Sequence, residues 1–178
     1  MRSVYLSLGS NIDRYRHISA ALDALADEFC ELEISTVYES ESVGFKGSLF
    51  LNLVVGVHTS LGVAELSARL KQIEDDNGRD RSSPKFSPRT LDIDILLYGD
   101  FVGTSAGIKL PRDEITKNAF VLQPLAELAF GQTHPELGVC YEQLWRAYDK
   151  ASQPLWPVDF AWRGITLPCS YYPHSAAY

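Results

Sequence analysis

Cysteine is scarce in this chain: Cys30, Cys140 and Cys169 are far apart, odd in number and lack metal-ligand spacing. That pattern excludes a disulfide framework and suits a reducing compartment. No stretch approaches the roughly 18 apolar residues that a membrane helix needs. Met1 leads almost directly into a strand, without the charged segment and apolar run of an export signal, so a cytoplasmic protein with no membrane partner is expected. Positive charge is the minority. The 16 Lys and Arg against 23 Asp and Glu give a net charge of −7, which argues against a nucleic-acid partner. The sequence also has no internal repeat, no low-complexity tract and no Walker sequence, so any nucleotide phosphates must be held by some other basic element.

The 178 residues suffice for one domain with a substantial core. Val4, Leu6 and Leu8 alternate with Tyr5 and Ser7, predicting a strand that ends at Gly9-Ser10-Asn11. Asp13 is expected to cap a helix over 14–29, whose Ile18, Ala21, Leu22, Leu25 and Phe29 share a face. Strands are predicted near 31–40 and 50–58, separated by a loop with two glycines, Gly44 and Gly47. Leu66, Leu70 and Ile73 then recur at helical spacing up to Asn77-Gly78. A strand over 91–98 and helices near 118–128 and 141–150 complete the pattern. The order β-α-β-β-α-β with later helices predicts an α+β domain with a ferredoxin-like antiparallel sheet covered by helices, over residues 1–151. Residues 152–178 are too aromatic for a linker, holding Trp156, Phe160, Trp162, Tyr171, Tyr172 and Tyr178. This extension is expected to pack on the domain or to mediate a dimer, and the chain to be a monomer or weak homodimer.

The most informative stretch is Pro88-Arg89-Thr90-Leu91-Asp92-Ile93-Asp94. Side chains alternate along a strand, so Asp92 and Asp94 project together while Leu91, Ile93 and Ile95 enter the core. Adjacent carboxylates repel and are costly to desolvate, which calls for a positive partner such as a hard dication; Mg²⁺ binds one or two carboxylates and completes its shell with water and phosphate oxygens. The alternative is a pair of exposed acids on an edge strand. Arg79, Arg81, Lys85 and Arg89 form a basic cluster just upstream, readable as a phosphate cradle or as a solvated loop.

With Ile73-Glu74, Gly78-Arg79-x-Arg81, Leu8-Gly9-Ser10-Asn11, Phe50-Leu51-Asn52, Ala119-Phe120-Val121-Leu122 and His134-Pro135-Glu136-Leu137-Gly138, this segment resembles the signature of hydroxymethyl-dihydropterin pyrophosphokinases over about residues 1–150. The resemblance implies transfer of pyrophosphate from ATP to the hydroxymethyl group of a dihydropterin, with release of AMP, in folate synthesis. It implies that Asp92 and Asp94 hold two Mg²⁺ ions and that Arg79 and Arg89 are catalytic groups on the phosphates. Glu74, Arg81, Phe86, Lys109 and Arg112 would contact ATP, with Arg81 and Phe86 on a closing loop. Phe50 and Phe120 would stack on the pterin, Asn52 would meet its edge, and Val43 and Gly44 would contact it from the early loop. Ser10 and Asn11 are expected to shape the turn.

The chain departs from the family at Arg112, where histidine is usual, at Asn118, where arginine is usual, and at Ser42, where proline is usual. An Asn118→Arg exchange is therefore expected to raise turnover. Besides an active pyrophosphokinase, two readings remain at this stage: a divergent paralogue that binds a pterin or nucleotide, and a two-carboxylate nuclease, which the acidic composition disfavours.

Overall fold

The computed structural model describes residues 1–42, 47–78 and 90–173. The elements run β1 (Arg2–Ser10), α1 (Arg14–Phe29), β2 (Leu32–Ile34), β3 (Val37–Ser40), β4 (Phe50–Thr59), α2 (Val63–Asp76) and β5 (Asp92–Tyr98). They continue with β6 (Gly103–Ser105), β7 (Ile108–Leu110), α3 (Glu114–Lys117), α4 (Ala119–Leu128) and α5 (Tyr141–Ala147). Four short strands close the chain: β8 (Leu155–Val158), β9 (Ala161–Trp162), β10 (Ile165–Thr166) and β11 (Cys169–Tyr171). No helix among the described residues is long and apolar enough to cross a membrane.

The main sheet is antiparallel, with β1 central between β4 and β5, and β2 and β3 beyond β4. Its two faces are used differently. On one face Val4, Leu6, Leu8, Leu53, Val55, Ile93 and Ile95 meet Ile18, Leu22 and Leu25 of α1 and Leu66 and Leu70 of α2 in the larger core. On the other, Tyr5, Val54, Leu96 and Leu97 pack under Val121, Leu122 and Leu125 of α4 and Tyr141 of α5. Gly56 has no side chain because the Tyr5 ring lies across it: an added Cβ would sit 3.1 Å from Tyr5 Cε1. Among the described residues this second core packs over one end of its face.

Three expectations need correction. Asp13 is not a side-chain cap: it has a left-handed backbone (φ 44°) and pairs with Arg16 at 2.6 Å, and only its carbonyl accepts a helical N–H. The strand expected over 31–40 is broken at Ser35–Thr36. There Ser35 Oγ accepts the Val54 N–H at 2.9 Å, and the Glu127 carboxylate on α4 takes the Thr36 N–H (2.8 Å) and the Tyr38 hydroxyl (2.9 Å). Side chains thus replace the ladder where the backbone turns away. The β6–β7 hairpin carries no strong alternation and was not expected.

The terminal segment is built into the sheet edge. β8 pairs with β3 and β11 with β2, so both halves of the broken strand are covered. Phe160, Trp162 and Leu167 enter the larger core, and Trp162 Nε1 donates to Asp23 Oδ1 on α1 at 2.9 Å.

His134 holds the turn before α5. Its Nδ1 accepts the N–H groups of Glu136 (3.2 Å) and Leu137 (3.1 Å), which requires the neutral ring, and burial pushes its pKa below the usual value of 6.5, outweighing the Glu136 charge. Because the folded pKa is depressed, the unfolded chain takes up this proton first. The stabilisation is complete above about pH 6.5 and declines as pH falls toward the folded pKa. Thermal melts between pH 7.5 and 5.5 are expected to show a decline that His134→Asn flattens; an identical slope in the variant would contradict this role.

Candidate functional site

The part of the second sheet face beyond that core holds the candidate site. Cross-strand partners share a face, so the register sets two polar rows side by side: Asp92, Gly9, Asn52 and Tyr38, then Asp94, Ser7 and Val54. Gly9 contributes no side chain between Asp92 and Asn52, whose backbones stand two strand spacings apart, about 10 Å. A Cβ at Gly9 would lie 3.3 Å from Asn52 Oδ1. Gly9 and Ser7 were not singled out from the sequence as floor of the site, although the alternation of the first strand already placed them on one face.

At the carboxylate end the β1–β5 register shifts, leaving Leu96 as the extra residue of a bulge. Its carbonyl accepts the Arg112 N–H at 3.0 Å, which brings Arg112 from beyond β7 alongside β5. The guanidinium then donates to Asp94 Oδ1 at 2.8 Å, with both side chains partly solvent-exposed. Two buried polar atoms near this end, Arg112 Nε and Thr90 Oγ1, lack hydrogen-bond partners among the described residues. Buried donors are normally satisfied, so a ligand oxygen is the natural complement. No group of three or more His, Cys, Asp and Glu side chains gathers as a metal cage among the described residues. Two carboxylates without further such ligands among the described residues fit a hard cation that keeps waters and takes ligand oxygens, rather than a closed zinc site.

Glu74 is buried, and its Oε2 accepts the N–H of Ile93, the residue between the two aspartates, at 2.8 Å. The carboxylate thereby ties α2 to β5 beneath the site. Lys109 is exposed and paired with Asp113 at 3.0 Å; the hydrogen bond and charge of Asp113 raise its pKa.

At the other end Asn52 is buried and its Nδ2 donates to Ser40 Oγ at 2.8 Å. Phe50 pairs with Ser40 on this face. Phe120, in the first turn of α4, lines a cavity of about 270 Å³ together with Ser40, Glu41, Ser42 and residues 152–155. The structure thus gathers Asp92, Asp94 and Arg112 at one end of the row and Phe50, Asn52 and Phe120 at the other. Val43, Gly44, Arg79, Arg81, Phe86 and Arg89 lie outside the described residues. Ser10 Oγ donates to the Ile12 carbonyl (3.2 Å) and Asn11 Nδ2 to that of Ser48 (3.3 Å), both fixing the turn after β1. Asn118 is committed as well: its Oδ1 accepts from Gln153 Nε2 at 3.1 Å, so an arginine there would displace Gln153 as well as add charge.

A family model described as 7,8-dihydro-6-hydroxymethylpterin-pyrophosphokinase (HPPK) matches residues 5–130. The chain is 44% identical over 138 residues to the 2-amino-4-hydroxy-6-hydroxymethyldihydropteridine pyrophosphokinase of Aquifex aeolicus, covering 76% of this chain and 85% of that protein. Identity to the protein of the same name from Pseudomonas aeruginosa is 38% over 133 residues, covering 72% and 82%. In fold, the chain is similar to wild-type Plasmodium falciparum HPPK-DHPS in its crystal structure with pteroate, with a TM-score of 0.67 and 14% identity. That match covers 83% of this chain and 42% of the other, so the chain spans less than half of that protein's length.

Removing the Glu74 carboxylate leaves the Ile93 N–H buried without its acceptor, at a cost of about 1–3 kcal/mol. Glu74→Ala is expected to lower stability by that amount in chemical denaturation, and Glu74→Gln, which keeps an acceptor, to recover part of it. An unchanged midpoint in Glu74→Ala would refute the tie.

Proposed function

The chain belongs to the 7,8-dihydro-6-hydroxymethylpterin-pyrophosphokinase family, and on that premise we propose how its own residues divide the transfer of pyrophosphate from ATP to 6-hydroxymethyl-7,8-dihydropterin, with release of AMP, in folate biosynthesis. The observation that carries the division of labour is the row Asp92–Gly9–Asn52, which puts carboxylates at one end of one sheet face and an amide at the other.

Asp92 and Asp94 would hold magnesium, two ions in this reading, as carboxylate oxygens suit a hard, partly hydrated cation, while the unpartnered Arg112 Nε and Thr90 Oγ1 suit a phosphate oxygen. Magnesium bound there supplies positive charge to the triphosphate. The rest of the ATP half belongs to guanidinium groups. Arg112, already oriented by Asp94, has Nε to give to a phosphate oxygen; Lys109 adds charge nearby in sequence; Arg79, Arg81 and Arg89 extend the cradle, with Phe86 closing over it. Glu74 serves the nucleotide indirectly, by fixing the strand that carries both aspartates.

In the pterin half, Asn52 presents its amide to the edge of the heterocycle, and Phe50 and Phe120 offer ring faces, with Val43 and Gly44 contributing from the early loop. The sheet holds alcohol and β-phosphorus in line, and catalysis is mainly positioning and charge neutralisation. The sheet order supports a ferredoxin-like reading. Three free cysteines support a cytoplasmic setting, and the net charge of −7 fits small anionic substrates met by a local basic patch, with no nucleic-acid or membrane partner. A monomer, or a weak homodimer, suffices for this chemistry.

Asp92→Asn and Asp94→Asn are each expected to cut AMP release at least about a hundredfold, equivalent to ~2.7 kcal/mol of transition-state stabilisation, with the thermal midpoint retained. AMP formation with ATP, magnesium and hydroxymethyl-dihydropterin measures this alongside a melt. Near-normal turnover in either variant sinks the assignment of the two carboxylates, and binding of both substrates by the wild type without AMP would instead make the chain a binding protein.

A further inference from the structure

Resting on the reading of Phe120 as a wall of the pterin site, we propose that Gln153, in the segment between α5 and β8, is a positioning residue that sets this wall. Helix α4 starts at Ala119 without a side-chain cap from its own N-terminal residue, Asn118. The first N–H of a helix needs an acceptor. Here Gln153 Oε1 supplies it at 2.9 Å, from 34 residues downstream. The other end of the same amide donates to Asn118 Oδ1 at 3.1 Å. One planar group therefore grips both residues that immediately precede Phe120, and its acceptor and donor are both used.

The grip is itself braced. Ser152 is held by two bonds to the Asp149 carbonyl, from its N–H at 3.1 Å and its Oγ at 2.7 Å. Leu155 enters the ladder with Ser40, and Trp156 Nε1 donates to Glu39 Oε1 at 2.8 Å. Gln153 thus lies on a span of chain fixed at both ends, and it lines the cavity with Phe120. Ser40, which lines the same cavity, is the acceptor of Asn52 Nδ2. The two groups assigned to the pterin, a ring and an amide, are in this way oriented from the walls of one cavity. Gln153 also lies beyond the residues 5–130 that match the family model. Releasing it frees the first turn of α4 without touching Asp92, Asp94 or Arg112, so the loss falls on the pterin and spares the ATP half.

The test is steady-state kinetics with each substrate varied in turn, with direct titration of the dihydropterin by its own fluorescence. Gln153→Ala is expected to raise the pterin KM and Kd about five- to tenfold, with kcat and the ATP KM within about twofold. Gln153→Glu keeps the acceptor for the Ala119 N–H and is expected to restore part of the pterin affinity. In a Phe120→Ala background Gln153→Ala is expected to add nothing further. Equal rises in both KM values, an unchanged pterin Kd, or full additivity with Phe120→Ala would each overturn the proposal. If Gln153→Ala does not fold, the Gln153→Glu variant decides alone: a pterin Kd unchanged or shifted in step with the ATP KM overturns it, and a selective rise of twofold or more supports it. The underlying site reading fails separately, if Phe120→Ala itself leaves pterin binding unchanged.

Discussion

Strand β1 is hydrogen-bonded along both edges, and its register against β4 and β5 is the constraint on which the site depends. A slip of one residue on β5 would turn Asp92 and Asp94 into the apolar core and present Ile93 and Ile95 to the open face. Three independent devices oppose that slip. The apolar set Leu91, Ile93 and Ile95 is buried against α1 and α2. Glu74 accepts the N–H of Ile93, the residue between the two aspartates. The bulge at Leu96 is locked by the Arg112 N–H. Two of the three are hydrogen bonds to backbone groups on either side of Asp94, at Ile93 and Leu96, so the bonds that hold the strand also aim the carboxylates.

The charge arrangement follows from the same geometry. Two partly buried carboxylates, two residues apart on a chain of net charge −7, repel each other and lower the local potential. Arg112 offsets part of this at 2.8 Å from Asp94, and does so with one guanidinium nitrogen while Nε stays buried and unpartnered. A guanidinium has five N–H donors in a fixed fork, so it can keep its bond to Asp94 and still meet a second anion. A histidine, which the resemblance implies at this position, has two ring N–H donors only as the imidazolium, whereas the guanidinium keeps its donors at any physiological pH. The departure at Arg112 is thus a change in how the site balances its charge.

Much of this was legible in the sequence because it depends on local periodicity. The alternation through Asp92–Ile95 and the helical faces of α1 and α2 are short-range patterns, and they located the two carboxylates and the core behind them, while Asn52 came from the resemblance of its motif. What the sequence hid depends on partners far along the chain. Glu74 looked like an acid on a helix surface or at a nucleotide, and its burial is decided by a strand N–H 19 residues away. The break at Ser35–Thr36 is stabilised by Glu127, 91 residues on from Thr36. Asp13 is a good cap by residue type, yet its left-handed backbone and its pairing with Arg16 take it out of that role. Arg112 could be placed near a phosphate by resemblance, whereas its bond to Asp94 required knowing where a bulge falls.

The terminal segment shows why such distant partners matter. Its strands β8 and β11 cover both halves of the broken strand β2–β3, whose unpaired backbone groups would otherwise form an exposed edge. Its aromatic residues Phe160 and Trp162 bind it to α1 on one face of the sheet, through the Tyr15 ring stacked at 5.4 Å and the bond to Asp23. Gln153 binds it to α4 on the other face. A segment anchored on both faces and along the edge between them cannot shift at one anchor without straining the others. The position of α4 is therefore coupled to packing against α1 on the far side of the sheet, and Phe160 and Trp162 help to fix a site on the opposite face.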